Sequence, residues 1–182
     1  MRRRIQLAGA VALLAVLGVV GAAIATGGDS KIRERLTGYQ EVPALSTTGN
    51  GEFKAVILGD DEIRYRLSYR DTETPVTQAH IHFEQRTNNG GIVLFLCSNL
   101  ANPPAGTPPC PPNGGTVRGT LGPEDVFDGA AAQGIMLGEF DEVLDAIRAG
   151  ATYANVHTTG RPGGEIRAQL DVDDRRGHGG HH

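Results

Sequence analysis

The chain has 182 residues, 39% of them hydrophobic and 21% charged, with a formal net charge of −4 at pH 7. That length suits one domain plus its ends, and the acidic balance argues against nucleic acid or an anionic membrane surface as a partner held by bulk electrostatics. Aromatic residues make up only 5%, Trp is absent and Gly numbers 26, so an aliphatic core built from short strands is expected rather than long helices.

The first residues read as a targeting segment. Arg2-Arg3-Arg4 precede an apolar run from Leu7 to Ala25 that ends in Ala23-Ile24-Ala25, a small-x-small pattern suited to signal peptidase. Cleavage after Ala25 makes residues 1–25 a signal peptide and the protein secreted or displayed outside the cytoplasm. The alternative is an uncleaved anchor, since the run is about long enough to cross a bilayer; only then is a membrane a partner. No Cys follows the run, so a lipoprotein is not expected. Loss of the leader removes three Arg and no acid, which takes the formal charge from −4 to −7.

Residues 26–35 are polar and read as a linker, and the domain is expected to span 36–170. A strand-like segment over 36–43 is stopped by Pro43, and Asn50-Gly51 signals a tight turn. Residues 52–58 read as a strand that turns at Gly59-Asp60-Asp61 into the clearest alternation in the chain. Ile63, Tyr65, Leu67 and Tyr69 share one side, opposite Arg64, Arg66, Ser68 and Arg70. This Arg row is read as a solvated sheet face balanced by acids, with a grip on carboxylate or phosphate as the sharper alternative.

In the next strand Ala79, Ile81 and Phe83 face a core while His80 and His82 point away from it. Residues 92–96 are apolar at every position, as in a central strand covered on both sides. Cys97 and Cys110 flank a Pro-rich loop, and in an oxidising compartment they are expected to form a disulfide. In the chain-entropy model such a bridge contributes about 3 kcal/mol. Residues 116–121 form a further strand, and Gly122-Pro123-Glu124-Asp125 opens a short helix. No regular structure is expected over 128–138. Phe140, Val143, Leu144 and Ile147 have the spacing of an amphipathic helix closed by Gly150.

Residues 151–170 read as a hairpin. Ala154 and Val156 lie opposite Tyr153, Asn155 and His157, and Ile166, Ala168 and Leu170 lie opposite Glu165, Arg167 and Gln169. Arg161-Pro162-Gly163-Gly164 between the runs has a type II turn signature. Residues 171–182 are charged, Gly-rich and expected to be a disordered tail, whose His178, His181 and His182 can scavenge metal weakly. About eight strands and two short helices, with frequent turns, predict an all-β fold, an antiparallel Greek-key-like sandwich or barrel.

Several of these segments together resemble the CHRD (chordin) domain in its single-domain, exported bacterial form, over about residues 36–170. The resemblance rests on Leu36-Thr37-Gly38 with Glu41-Val42-Pro43, Ala79-His80-Ile81-His82, Gly115-Thr116-Val117-Arg118-Gly119, Tyr153-Ala154-Asn155-Val156-His157-Thr158 and Pro162-Gly163-Gly164-Glu165-Ile166-Arg167. The family often has Gly after its His-x-His, where this chain has Phe83-Glu84. In chordin the modules belong to an extracellular antagonist of bone morphogenetic proteins. For a single-copy protein the resemblance implies domain limits and export, and it brings no reaction with it.

Histidines two apart on a strand project to the same side, and imidazole is a common ligand of copper and zinc. If His157 lies on a neighbouring strand, it completes a three-nitrogen, outward-facing site with His80 and His82. The pattern is locally similar to part of the copper site in copper/zinc superoxide dismutases, although no two-metal site can be built from three histidines. The competing reading is a polar network in which Glu165 satisfies an imidazole, Arg167 compensates the carboxylate and Asn155 is a neighbour. An acid/base role is a third possibility. There is no Gly-x-Ser-x-Gly, no His-Glu-x-x-His and no phosphate-cradling loop, so an enzyme is the less favoured class. The leading expectation is a secreted binding or interaction module for an extracellular protein or surface ligand, with no cofactor assigned. The alternative is a mononuclear copper or zinc protein, with redox activity as one form of it.

Overall fold

The computed structural model describes residues 29–101 and 103–173. The expected signal peptide and the three tail histidines lie outside the described residues. Eight strands form one sheet: β1 (Ser30–Thr37), β2 (Asn50–Leu58), β3 (Glu62–Arg70), β4 (Val76–Phe83), β5 (Gly91–Ser98), β6 (Gly115–Leu121), β7 (Thr152–Thr158) and β8 (Ile166–Gln169). Their order is β5-β4-β7-β8-β1-β2-β3-β6, and every pairing is antiparallel. The end strands β5 and β6 approach each other, so the sheet is a nearly closed barrel. The all-β antiparallel expectation therefore holds.

The alternation visible in the sequence decides which side packs. Phe53, Ala55 and Ile57 of β2, Ile63 and Leu67 of β3, Ala79 and Ile81 of β4, and Ala154 and Val156 of β7 enter one aliphatic core. One α-helix, α1 (Phe140–Arg148), adds Phe140, Val143, Leu144 and Ile147 to that core. It ends where Gly150 adopts a positive φ of 67°, as its spacing predicted. The second expected helix is a single 3-10 turn, Pro123–Asp125, and two further 3-10 segments cover Gly38–Gln40 and Asp128–Gln133.

Four local expectations need correction. Residues 30–35 are not linker but most of β1, because their polar side chains alternate with Ile32 and are paired with β2. Asn50-Gly51 is not a turn: both residues lie in β2, and a Cβ on Gly51 would meet the Ser68 carbonyl oxygen at 2.9 Å. The hairpin turn is closed by Gly164 N–H donating to the Arg161 carbonyl, but the positive φ falls on Gly164 (127°) and not on Gly163, so it is not type II. The apolar strand β5 is not central. It ends the sheet order, and its burial comes from the Asp128–Gln133 segment and β6 lying beside it.

At the C-terminal end, residues 171–173 are not loose tail: Val172 bridges to Ile32 and Asp173 N–H donates to the Lys31 carbonyl. Cys97 and Cys110 form the expected disulfide, with an S–S distance of 2.02 Å. Asn99 secures the enclosed loop by donating to the Val76 and Cys110 carbonyls and accepting from Cys110 N–H.

Candidate metal centre

His80 and His82 sit on β4, and His157 sits on β7, which is paired directly with it. Their neighbours Ala79, Ile81 and Val156 point into the aliphatic core, so the period-two geometry puts all three imidazoles on the other side of the sheet. The β4–β5 register shifts twice, between Ala79 and His80 and again between Ile81 and His82. Irregularities of this kind re-aim a side chain, and here one precedes each histidine.

The imidazoles are not solvent-facing, which corrects the expectation of an open outward patch. Relative exposure is 2% for His80, 7% for His82 and 8% for His157. Three aromatic rings provide the cover: Phe95 meets the His80 ring edge-on at 4.5 Å, Phe127 packs against Phe95 at 5.1 Å, and Tyr153 stacks on His82 at 4.7 Å with only 2° between planes. The loops bearing Gly90 and Pro162 contribute backbone contacts. Phe95 was concealed within an all-apolar run, and Phe127 had no periodic signal. Tyr153 was placed on the histidines' side of its strand but not recognised as part of their cover.

Hydrogen bonding fixes the protonation of two rings. His82 Nδ1 lies 3.0 Å from the Gly90 carbonyl oxygen and His157 Nδ1 lies 3.0 Å from the Pro162 carbonyl oxygen. A carbonyl only accepts, so each Nδ1 carries the proton and each Nε2 presents a lone pair. Those two Nε2 atoms face each other at 3.5 Å with no proton between them. His80 has no hydrogen-bond partner at either ring nitrogen, although both are buried. One donor atom from each of the three histidines falls within 4.8 Å of the others.

Electrostatics keep the cluster neutral. Burial, then the His157 and His82 rings, push His80 down to about 2. Burial and His157 lower His82 to about 3 against the opposing Gly90 carbonyl, and burial lowers His157 to about 4 against the Pro162 carbonyl. The result is a set of unprotonated nitrogen donors gathered in a largely apolar enclosure.

The residues expected to satisfy the imidazoles are engaged elsewhere. Glu165, fully buried, accepts from the Thr47 and Thr158 hydroxyls and from Glu73 N–H, each at 2.8 Å. Arg167 donates to Asn89 Oδ1 and to the Gln85 and Asn88 carbonyls, with its guanidinium 3.4 Å above the Tyr153 ring. Asn155 donates to Glu41 at 2.6 Å and to the Ile166 carbonyl. The expected Glu165–imidazole network therefore does not form, since those strand positions turn toward the loops 41–48 and 84–90 instead.

Glu41 entered the sequence reading only as part of the family resemblance, with no role assigned to it. Burial raises its carboxyl to about 7, opposed by the Asn155 hydrogen bond and Arg167. Its neighbour Gly164 has no room for a side chain, because a Cβ would meet Asn155 Oδ1 at 2.6 Å and Glu41 Oε1 at 2.7 Å.

Comparison with curated proteins and with solved structures finds no match. The family model described as the CHRD domain matches residues 32–170, which begin inside β1 and end just past β8. The matched span takes in most of β1, all the remaining strands and all three histidines, and the chain belongs to the CHRD domain family.

Proposed function

We propose that the protein is an extracytoplasmic CHRD-domain module that holds one copper or zinc ion on His80, His82 and His157. The observation that carries this reading is the pair of facing, unprotonated Nε2 atoms beside an imidazole with no hydrogen-bond partner. A buried polar group without a partner costs about 1–3 kcal/mol, and here several are concentrated at one point. A metal ion relieves them together.

The donor set fits such an ion. Imidazole suits copper and zinc, and a ligating histidine typically donates its second ring N–H to a carbonyl or carboxylate, as His82 and His157 do toward Gly90 and Pro162. Nitrogens bound to one zinc at about 2.0–2.1 Å lie about 3.4 Å apart at tetrahedral angles, close to the 3.5 Å between the two Nε2 atoms. Both rings are thus oriented and deprotonated in advance, which removes part of the ordering cost of binding. A bound ion supplies a Lewis-acidic centre or, as copper, a one-electron redox centre. The protein's own residues orient the ligands and keep water away: Phe95 and Phe127 shield His80, while Tyr153 fixes the plane of His82.

The test is metal content and titration of the chain carrying His178→Gln, His181→Gln and His182→Gln, which removes the tail as a competing binder. The expected result is one copper or zinc per chain, lost in the same chain with His80→Ala. Background metal content overturns the site and leaves a metal-free binding module.

A further inference from the structure

The outward side of β1, β2, β3 and β6 has a charge distribution that the metal centre does not use and the net charge conceals. Eight of the twelve Lys and Arg among the described residues occupy outward strand positions on this half of the barrel. The acids at such positions are Glu52 and Glu62. Four cations lie directly opposite one another across all four strands, because Arg33 pairs with Lys54, Lys54 with Arg66, and Arg66 with Arg118. Strands are about 4.8 Å apart, so this row runs about 14 Å along the hydrogen-bonding direction.

Like charges directly opposite in a sheet destabilise it, and a chain already strongly acidic needs no such row for solubility. The available carboxylates relieve only part of it. Glu52 bridges Arg33 at 2.8 Å and Lys54 at 2.7 Å, and Glu62 pairs with Arg64. Among the described residues Arg66, Arg118 and Arg35 make no ion pair with a carboxylate. Arg35 lines an open groove of about 660 Å³ beside the row, together with Arg70, which also pairs with Asp71 at 3.5 Å, and with Thr37, Asn50, Glu52 and Ser68.

We infer that this face binds an extracellular linear polysaccharide carrying sulfate or phosphate esters, laid across β1-β2-β3-β6 with its oxyanions on the Arg33–Lys54–Arg66–Arg118 row. Charge complementarity selects the polyanion, and guanidinium forks match tetrahedral oxyanions. Hydroxyl and amide side chains in the groove supply donors and acceptors for sugar hydroxyls. A bilayer fits less well: the large exposed hydrophobic residues Tyr39, Leu100, Met136 and Leu137 all lie off these strands, and the apolar residues on the face, Val56 and Leu58, are half-buried. A nucleic acid lacks a stacking platform, since Tyr65 and Tyr69 turn into the core.

The test measures binding of the full chain, with chelator present to keep the metal centre out of play, to heparin, dextran sulfate and neutral dextran at low ionic strength. Binding to both sulfated chains and not to neutral dextran is expected, with affinity falling as salt rises. Arg66→Glu and Arg118→Glu should each weaken it about tenfold or more, whereas Arg148→Gln, a cation on α1, should leave it unchanged. Failure to bind either sulfated polymer overturns the inference, as does equal weakening by Arg148→Gln. Equal or tighter binding to phosphatidylglycerol vesicles or duplex DNA overturns the glycan assignment. Self-association abolished by Arg66→Glu, without polymer binding, assigns the face to a second copy instead.

Discussion

Strands β7 and β8 carry two polar clusters within a few residues of each other, and the chain treats them in opposite ways. Glu165 and Arg167 are completely buried and each makes three hydrogen bonds, Arg167 to the 85–89 loop and Glu165 to Thr158 at the end of β7 and to Thr47 and Glu73 from distant loops. His157, with His80 and His82, is nearly as buried, yet the cluster leaves His80 unpaired and two lone pairs confronting each other. Where polar groups hold a fold together, the surrounding chain finds them partners. The His80 nitrogens and the two facing Nε2 atoms are the donors that the proposed ion would take, beside a Glu165 and Arg167 network that is satisfied by protein alone.

The sharpest way to break the comparison is from its structural side. Glu165→Ala removes the acceptor for two hydroxyls and a backbone N–H and leaves a small cavity. Thr158 is fully buried while the Thr47 and Glu73 donors are only partly so, and at about 1–3 kcal/mol per stranded donor, less for the wetter two, the expected loss is about 2–4 kcal/mol, read as a lower urea midpoint at unchanged m value. A cost below about 1 kcal/mol would mean that the Glu165 cluster is not holding the loops, and the contrast with the histidines would collapse.

Acid sensitivity of the metal-free protein is the second probe. An unfolded-state histidine titrates near 6.5, whereas the folded imidazoles stay neutral down to about 4, 3 and 2. Between these limits the unfolded state binds more protons, so the stability present above about pH 6.5 is lost progressively as pH falls toward 4. Glu41 has the opposite sign: raised to about 7, it is protonated earlier in the folded state and favours folding as pH drops from 7 toward 4.5. Glu34, raised by burial and half-buried, acts in the same direction as Glu41 but more weakly, so the three imidazoles give a net loss between pH 7 and pH 5, checked by urea unfolding at each pH. His157→Gln should flatten that slope; an unchanged slope would show that the buried cluster does not control it.

Much of the fold was legible because two-residue alternation is a direct imprint of a sheet with one packed side. Ile63-x-Tyr65-x-Leu67-x-Tyr69 and Ala154-x-Val156 entered the core as their spacing required. The positions of His80, His82 and His157 on one side of paired strands followed from the same rule. What the pattern could not carry was the state of the far side. Alternation separates two faces without saying whether the second meets water, and here loops through Gly90 and Pro162 and the rings of Phe95 and Phe127 close over it. Glu165 was offered as a partner for an imidazole, but it bonds Thr158 in its own hairpin and Thr47 and Glu73, which lie 118 and 92 residues away in sequence. Such pairings depend on chain closure, which local spacing does not encode. The cationic face was visible along one strand as Arg64, Arg66 and Arg70, of which only Arg66 belongs to the cross-strand row. Its continuation through Arg33, Lys54 and Arg118 needed the registers of three strand pairs.

The smallest expected effect is also the most discriminating. His80→Leu replaces the unpaired imidazole with an apolar side chain of similar size, against Phe95 and in an enclosure that already excludes water. Were His80 a structural residue, the substitution would cost stability, as it does when a buried hydrogen-bonded group is removed. With no hydrogen bond to lose, the metal-free variant should match the parent or exceed it by about 1 kcal/mol, because the desolvation penalty of two buried nitrogens disappears. Metal binding should disappear with it, since His82 and His157 alone supply two donors. The two readouts must move apart: equal or higher urea midpoint, absent metal. A stability loss above about 2 kcal/mol would place the imidazole among the groups that build the fold, and the unpaired nitrogens would then need a structural partner in place of an ion.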